Sequence, residues 1–208
     1  MENQKITVHI VDDDSSTRKY LKELVSTINF STKVYDSAHT FLDSYKDDGI
    51  GCLLLDLRMP DLSGLDLQSK LISNKIDLPV IMVTGYGDVP TAVKAMKAGV
   101  FDFIEKPFRA KVMIERIQHA VELHKKTRET KQADIDIIKL IETLTNREKE
   151  VMDLVVQGYP NKDMAAELDI SVKTIEVHRA NVMNKMQASS IVELVRMSMQ
   201  VNKTEDKP

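Results

Sequence analysis

The sequence predicts an α/β fold in which a doubly wound, five-stranded parallel sheet is joined by a helical linker to a small all-α domain. Three observations support this. Short apolar runs alternate with amphipathic segments from residue 5 to about residue 123. Apolar residues then nearly vanish over residues 124–134, and beyond Leu144 only helical periodicity remains. A chain of 208 residues is long enough for two such domains.

Five apolar runs predict the strands, and five amphipathic segments predict the helices that follow them. The strands are ITVHIV, TKVY, CLLLD, PVIMVT and DFIE, and the helices begin near Ser15, Ala38, Gly64, Thr91 and Arg109. Repeated alternation of strand and helix implies parallel strands with right-handed crossovers. The run Cys52 to Leu55 is apolar without alternation, which predicts a strand covered on both faces.

The segment HKKTRETKQAD, His124 to Asp134, is polar but contains neither Gly nor Pro. This composition predicts a solvated helix that prolongs the preceding one, because a flexible linker would be rich in Gly and Ser. We therefore expect a first domain over residues 1–123, a helical linker over 124–143, a second domain over 144–200 and a flexible tail over 201–208.

The second domain is predicted to consist of four short helices. Thr145 and Glu148 have the spacing of a capping box, and the stretch 158–160 ends that first helix. A second helix covers residues 161–168, and Ser171 caps a third. Two helices joined by a tight turn form a helix-turn-helix, whose second member can enter the DNA major groove. On the fourth helix, Ile191, Leu194 and Val195 either close the core or form a dimer contact.

Composition limits the classes of function. The chain is 42% hydrophobic and 29% charged with a net charge of −3, so any contact with nucleic acid must come from a local basic patch. The single Cys52 excludes an intramolecular disulfide and favours a buried thiol in a reducing compartment. The sequence has no apolar stretch long enough to span a membrane, and its first residues lack the pattern of a secretion signal. We therefore expect a cytoplasmic protein without a membrane partner.

Polar side chains follow four of the predicted strands. Asp12 and Asp13 follow the first, Asp56 ends the third, Thr84 ends the fourth and Lys106 follows the fifth. The carboxyl ends of parallel strands meet at one edge of the sheet, so these groups should converge. Clustered carboxylates suit Mg²⁺, and a Lys with a Thr hydroxyl suits the anionic oxygens of a phosphoryl group. Asp56 is accordingly the predicted nucleophile, which forms an acyl phosphate, with Asp12 and Asp13 as metal ligands.

Simpler roles and a second class of function also fit parts of this region. Asp14 or Ser15 suits a helix N-cap, and Asp61 and Ser63 suit a turn and a cap. Asp-dependent phosphohydrolases also form an aspartyl phosphate. The dehalogenase-like kind places a second Asp two residues after the nucleophile, where this chain has Arg58. We therefore predict that the protein is not an enzyme.

The motifs HIVDDD, LLLDLRMPDLSG, VTGYGD and DFIEKPF resemble the receiver domain of bacterial two-component response regulators, which has a flavodoxin-like fold. The resemblance covers residues 5–123. It implies phosphotransfer from a sensor histidine kinase to Asp56. It also implies Mg²⁺ bound by Asp13, Asp56 and the backbone carbonyl of Arg58, with Asp12 assisting.

The same resemblance assigns further roles near the end of the sheet. It places Thr84 and Lys106 at the phosphoryl oxygens and implies a cis peptide bond between Lys106 and Pro107. It makes Phe103 a switching aromatic residue, although Phe103 equally suits an ordinary core position on the fifth strand.

The stretches LTNREKEVMDLVVQG, NKDMAAELDIS and KTIEVHRANVMNKM resemble the LuxR-type DNA-binding domain over about residues 144–199, and the complete chain resembles a transcriptional regulator of the FixJ/NarL class. The resemblance implies a helix-turn-helix over residues 161–180 and dimerisation through the last helix. Met164 and Gln187 are mild departures from the family pattern. The residues implied to lie nearest base edges are Lys173, Glu176, Val177 and Ala180, and those implied to contact phosphates are Lys162, Thr174, His178, Arg179 and Lys185. In the free protein, Glu176 is alternatively a salt-bridging residue.

These features predict a transcription factor controlled by phosphorylation. Phosphate on Asp56 would reshape the face around residues 92–105 and favour pairing of receivers, which places two recognition helices on neighbouring half-sites. Alternatively, the unphosphorylated receiver shields residues 175–185 or the last helix. A third interpretation is a receiver that acts by binding proteins or RNA. The predicted partners are a sensor histidine kinase, double-stranded DNA and a second copy of the chain, with RNA polymerase as a further candidate.

Overall fold

The structure is a computed structural model that describes residues 6–47, 49–60, 62–85 and 89–205, with side chains described through Val201. The chain divides into two compact units, Met1–Arg128 and Glu129–Pro208. The division falls within a single helix, and each unit has its own hydrophobic core.

The first unit is a five-stranded, all-parallel sheet with the strand order β2-β1-β3-β4-β5, which confirms the predicted fold class. The strands are β1 Thr7–Val11, β2 Ser31–Tyr35, β3 Gly51–Asp56, β4 Val80–Thr84 and β5 Asp102–Glu105. The intervening helices are α1 Ser15–Ser26, α2 Ala38–Ser44, α3 Gly64–Ser73 and α4 Val89–Lys97, and α5 Ala110–Glu142 follows the last strand. Helix α4 thus begins two residues before the predicted start.

Successive side chains of the central strands pack alternately into two hydrophobic cores, one on each face of the sheet. On β3, Cys52 and Leu54 pack with residues of α1 and α5, whereas Leu53 and Leu55 pack with residues of α2, α3 and α4. All five residues of β1 and of β4 are buried. The uninterrupted apolar run of β3 is therefore explained, because both faces of this strand are covered.

The helix starts follow the expected capping chemistry. Asp14 is the N-cap of α1 and accepts hydrogen bonds from the amides of Ser16 and Thr17. Ser63 caps α3 by accepting from the amide of Asp66. Asp61, the predicted turn residue before this cap, lies outside the described residues, as does the stretch 86–88 within the motif VTGYGD.

Helix α5 is 33 residues long and continues through the polar segment that was predicted to be a helical linker. It has no Gly or Pro to interrupt it. Along the part of the chain that the structure describes, neither this helix nor any other is long and apolar enough to cross a membrane.

The second unit contains α6 Asn146–Val156, α7 Asn161–Glu167, α8 Val172–Lys185 and α9 Ile191–Glu205. Thr145 and Glu148 form the predicted capping box, and Ser171 caps α8. Met164 is fully buried in the core of this unit, and Gln187 adopts a left-handed conformation, with φ of 54°, after the end of α8. Helix α9 extends to Glu205, into the segment predicted as a flexible tail, and residues 206–208 lie outside the described residues.

Candidate functional site

The parallel register brings the polar strand ends of the first unit to one edge of the sheet. Val11 pairs with Leu55 across β1 and β3, so Asp12 follows β1 beside Asp56 at the end of β3. Thr84 pairs with Glu105, and Lys106 follows directly after β5. The strand order reverses between β1 and β3, and such a switch point is where ligands bind in open α/β sheets.

Lys106 connects the two buried carboxylates at this edge. Its Nζ atom lies 2.8 Å from Oδ2 of Asp12 and 2.8 Å from Oδ1 of Asp56. Asp12 is 2% exposed and Asp56 is 7% exposed. Two neighbouring carboxylates repel each other strongly when they are buried, because little water is present to screen their charges. The ammonium group between them compensates this repulsion. The predicted convergence of these three side chains is therefore present.

Burial and pairing act in opposite directions on the ionisation of this cluster. Burial raises the pKa of the Asp12 carboxyl above its ordinary range, although the hydrogen bond from Lys106 opposes this effect. For Lys106, burial alone would lower the pKa, but the hydrogen bonds to Asp12 and Asp56 outweigh it and raise the pKa. Lys106 is thus held in its cationic form, in which it attracts anionic oxygens.

Backbone and side-chain donors fix the two carboxylates in place. The amide of Arg58 donates to Oδ2 of Asp56 at 2.7 Å, and the amide of Asp14 donates to Oδ1 of Asp12 at 2.9 Å. Arg18, one turn into α1, donates from Nη1 to the backbone carbonyl of Asp12 at 2.7 Å. The role of Arg18 could not be predicted from the sequence, because no local pattern indicates that its side chain turns back to the end of β1.

Gly64 permits a close approach between the start of α3 and the end of β3. A Cβ atom at this position would lie 2.4 Å from the backbone oxygen of Asp56, which is closer than real contacts allow. The amide of Gly64 also donates to the carbonyl of Leu57 at 2.9 Å. Only glycine fits here, and its absent side chain lets α3 pack against the segment that carries Asp56.

The remaining predicted residues of the sheet edge lie around this cluster. Thr84 is buried, and its carbonyl accepts a hydrogen bond of 2.7 Å from the amide of Lys106. The peptide bond between Lys106 and Pro107 is cis. Phe103 is half-buried and packs against the core on the α2, α3 and α4 face of the sheet.

The carboxylate oxygens at this edge are of the type that binds a hard divalent cation, but only two of the three predicted carboxylates lie together. Asp12 and Asp56 supply carboxylate oxygens that already share one cationic group, while the side chain of Asp13 is exposed. Within the described residues, no three His, Cys, Asp or Glu side chains converge as a metal site would require. Asp12 and Asp56 are the two carboxylates that the structure gathers at this edge, whereas Asp13 is adjacent in sequence but not gathered with them.

Helix α8 of the second unit presents an exposed face and a buried one. Ile175 and Val182 are buried in the core. Four exposed residues lie on the opposite side at the spacings i, i+3, i+4 and i+7, namely Lys173, Glu176, Val177 and Ala180. These are the residues that the sequence placed nearest to base edges, so the set shares one solvent-facing surface.

Several residues that the sequence assigned to DNA phosphates hold contacts within the protein. Arg179 donates from Nη1 to the side chain of Asn161 at the start of α7. Lys185 forms an ion pair with Glu148, and the hydroxyl of Thr174 lies 2.7 Å from that of the helix cap Ser171. Lys162 is exposed, and His178 is half-buried. Arg179 and Lys185 are thus bound to side chains of other helices.

Comparison with known proteins assigns both units. Residues 8–118 match the family "Response regulator receiver domain", and residues 142–198 match "Bacterial regulatory proteins, luxR family". The chain belongs to the response regulators. This response regulator is 50% identical over 194 residues to "Transcriptional regulatory protein FixJ" of Rhizobium meliloti (strain 1021), covering 93% of this chain and 95% of that protein. It is 42% identical to "Response regulator protein TmoT" of Ectopseudomonas mendocina, covering 95% and 90%.

A solved structure gives the same assignment. The response regulator StyR superposes with a TM-score of 0.85 at 37% identity, covering 94% of this chain and 99% of the other. These similarities confirm the predicted FixJ/NarL class. This chain is a two-component transcriptional regulator with a receiver and a LuxR-type DNA-binding domain, and its relatives are regulators rather than phosphohydrolases.

Proposed function

We propose that Asp56 accepts a phosphoryl group from a sensor histidine kinase in an Mg²⁺-dependent reaction, and that this promotes dimerisation and DNA binding. We assign the receiver to residues 1–123, the linker to 124–143 and the DNA-binding domain to 144–200. The observation that carries the proposal is the placement of Lys106 between Asp12 and Asp56, with both distances at 2.8 Å. A carboxylate beside a cation at a sheet edge suits an acceptor of anionic phosphorus.

The chemistry follows from the groups at this edge. One oxygen of Asp56 attacks the phosphorus of a phosphohistidine and forms an acyl phosphate. The bond between phosphorus and the histidine nitrogen breaks, and the nitrogen leaves with the electron pair and takes up a proton. Lys106 already contacts Asp56, and its positive charge stabilises the negative charge on the transferred oxygens. The Thr84 hydroxyl serves the same oxygens by hydrogen bonding.

The metal would be held by Asp12, Asp13, Asp56 and the backbone carbonyl of Arg58. Mg²⁺, when bound there, neutralises charge on the carboxylates and on the phosphoryl oxygens. Hydrogen bonds within the chain hold the Asp56 carboxylate in position. The amide of Arg58 donates to one of its oxygens, and Lys106 donates to the other.

Phosphorylation changes the charge of this edge by about −1.5 to −2 units. The ammonium of Lys106 and the hydroxyl of Thr84 would reorient toward the new oxygens, and Phe103, on the strand that ends just before Lys106, would follow. Shifting a two-state population from mostly inactive to mostly active needs about 5.5 kcal/mol of differential stabilisation. Several charge-assisted hydrogen bonds to the phosphoryl oxygens are of that order when taken together.

The surface of α4 supports the proposed dimer. Three apolar side chains, Val89, Val93 and Met96, are 77%, 47% and 50% exposed at the spacings i, i+4 and i+7. Exposed charged side chains flank them at Lys94, Lys97 and Glu105. An apolar stripe with a charged rim is typical of a protein contact surface. A second copy of the receiver is the proposed occupant, and exposed Val192 and Met199 on α9 support a further contact between DNA-binding domains.

The exposed face of α8 supports DNA recognition. Lys173, Glu176, Val177 and Ala180 are proposed to face base edges, whereas Lys162, Thr174 and His178 are proposed to contact phosphates. Arg179 and Lys185 would contact phosphates only by giving up their present partners. A dimer would place two such helices on half-sites that are separated by whole helical turns of DNA. RNA polymerase is a further proposed partner, and the cytoplasm is the proposed location.

Phosphorylation of the purified full chain tests the proposal. Incubation with acetyl phosphate and Mg²⁺ should add the mass of one phosphoryl group, and peptide mapping should locate it at Asp56. The modified chain should then elute as a dimer in size-exclusion chromatography and bind operator DNA more tightly than the unmodified chain.

Two variants make the test specific. Asp56→Asn should abolish the added mass, dimerisation and the gain in DNA affinity. Asp66→Asn, which changes an exposed carboxylate on α3, should leave all three unchanged. Modification of the Asp56→Asn chain at the wild-type rate would contradict the proposal. So would a wild-type chain that dimerises to the same extent before and after phosphorylation.

A further inference from the structure

His124 is a buried histidine near the end of the first unit. It lies at the opposite end of strand β3 from the proposed phosphorylation site. It is 1% exposed and belongs to α5, the helix that continues into the second unit. Its ring contacts Gly51, the first residue of β3, whereas Asp56 is the last residue of the same strand. Strand β3 is therefore held at its start by a side chain of α5.

The ring is in direct contact with both backbone groups of Gly51. Nδ1 of His124 lies 3.0 Å from the Gly51 amide nitrogen and 2.9 Å from the Gly51 carbonyl oxygen. A neutral ring with its hydrogen on Nε2 accepts from the amide, and one with its hydrogen on Nδ1 donates to the carbonyl. Nδ1 can therefore bond either to the amide or to the carbonyl of Gly51, and its protonation decides which of the two it contacts.

The contact is close because Gly51 has no side chain. A Cβ atom on Gly51 would lie 1.9 Å from the backbone oxygen of Thr7 on β1, so no other residue fits without displacing a strand. The backbone of Gly51 is consequently enclosed by β1 on one side and reached by His124 on another.

Charged groups surround the second ring nitrogen at longer range. Nε2 of His124 is buried and lacks a hydrogen-bond partner among the described residues, but Oδ1 of Asp77, in the loop before β4, lies 3.7 Å away. Arg128, one turn further along α5, is paired with Asp47 at 2.6 Å. Asp77 and Asp47 favour a charged ring, and Arg128 opposes it.

Burial is the largest influence on ionisation at this position. It lowers the pKa of His124 below its ordinary value of 6.5, against the hydrogen bond to Gly51 and the charge of Asp77. The ring is therefore neutral near neutral pH and able to accept from the Gly51 amide. The ring takes up a second proton only at a pH below the ordinary range of a histidine.

We propose that His124 is a proton-sensitive anchor that holds α5 to the first residue of β3 through the Gly51 amide while its ring is neutral and through the Gly51 carbonyl once the ring is protonated. When a second proton binds, both nitrogens carry hydrogen, and Nδ1 can only donate. The Gly51 amide then loses its acceptor, and the new hydrogen on Nε2 faces Asp77. Protonation therefore moves the contact of Nδ1 from the amide of Gly51 to its carbonyl, 2.9 Å away, and places a second N–H toward Asp77. This input does not require Asp56.

Side-chain nitrogen NMR of the full chain tests the anchor, because it reports the protonation state of each of the five histidines. His124 should be neutral at about pH 7 and should titrate below the ordinary range of a histidine. Protection of the Gly51 amide against hydrogen exchange, corrected for the intrinsic rate, should fall by about five- to tenfold as His124 protonates. A His124 ring that is already protonated at about pH 7, or unchanged Gly51 protection after protonation, would overturn the proposal.

Matched variants identify the responsible histidine. His124→Gln keeps a side chain that can hydrogen bond to Gly51 but cannot titrate, so Gly51 protection should become insensitive to pH. His119→Gln changes an exposed histidine on the same helix and should retain the wild-type response. A response that survives in His124→Gln would assign the effect to another group, such as buried His9, and would overturn the proposal. The wild-type titration remains decisive if His124→Gln does not fold.

Discussion

Nζ of Lys185 lies 2.6 Å from Oε2 of Glu148, and the same Glu148 oxygen accepts a hydrogen bond from the amide of Thr145. Glu148 is 4% exposed, so one buried carboxylate closes the cap of α6 and fixes the last turn of α8. Lys185 also donates to the carbonyl of Thr143. The carboxyl end of the proposed recognition helix is thereby attached to the start of the DNA-binding unit.

This pair predicts that the second unit loses stability in acid. The hydrogen bond from Lys185 is the main reason that the pKa of Glu148 is lowered from 4.5 to about 2. A carboxyl with a lowered pKa in the folded state contributes stability above pH 4.5, and this is lost as the pH falls toward 2. Hydrogen exchange of α6 and α8 amides in the full chain should report this loss.

Glu148→Gln should weaken protection of α6 and α8 at about pH 7, and the difference from wild type should shrink at about pH 3. Glu150→Gln is the matched control, because Glu150 is on the same helix and is also paired, with Arg147, but its side chain is 52% exposed. This control should change the free energy of unfolding by less than about 1 kcal/mol. Equal effects of the two substitutions would contradict the assigned role of Glu148.

Local patterns were sufficient for the elements of this fold and for the convergence of Asp12, Asp56 and Lys106 at one edge of the sheet. Apolar runs and cap residues depend on neighbours in sequence, and parallel strand ends converge by topology alone. Partners that are distant in sequence could not be predicted. Lys185 and Glu148 are 37 residues apart, and nothing local distinguishes a lysine that binds a buried carboxylate from one that binds a DNA phosphate.

His124 shows a signal that the sequence did contain. It was placed at the start of a polar linker, although it continues the buried helical series Met113, Ile117 and Ala120 at spacings of three and four residues. The contact of its ring with Gly51 could not be predicted, since these residues are 73 positions apart.

Removing the charge of Lys106 should slow phosphorylation. Lys106→Gln keeps a polar side chain but leaves Asp12 and Asp56 without the cation between them. The initial rate of labelling by acetyl phosphate should fall by about a hundredfold, as when a preorganised donor to developing charge is removed. Lys97→Gln, on the exposed surface of α4, should label at the wild-type rate. Labelling of Lys106→Gln at the wild-type rate would remove Lys106 from the mechanism.

A charge on the exposed face of α4 should prevent pairing of phosphorylated receivers. Val93→Glu and Met96→Glu alter side chains that are 47% and 50% exposed, so the monomer should remain folded. Burying an unpaired carboxylate in the interface is unfavourable, and the dimer should be lost in sedimentation experiments. Ile72→Glu, at a site on α3 that is 58% exposed, is the matched control and should dimerise normally. Loss of the dimer in Ile72→Glu alone would move the interface to α3.

The exposed face of α8 should separate sequence recognition from general attraction to DNA. Val177 is 55% exposed, so Val177→Ala should not destabilise the domain, whereas truncating the buried Val182 should. Loss of apolar contact with bases should reduce affinity for the operator by about 1 kcal/mol or more and leave affinity for random DNA unchanged. Lys173→Gln should have a different effect, because it removes a positive charge that is close to the DNA phosphates. The salt dependence of DNA binding should fall by about one counterion. Equal loss of operator and random affinity in Val177→Ala would show that this residue does not face the bases.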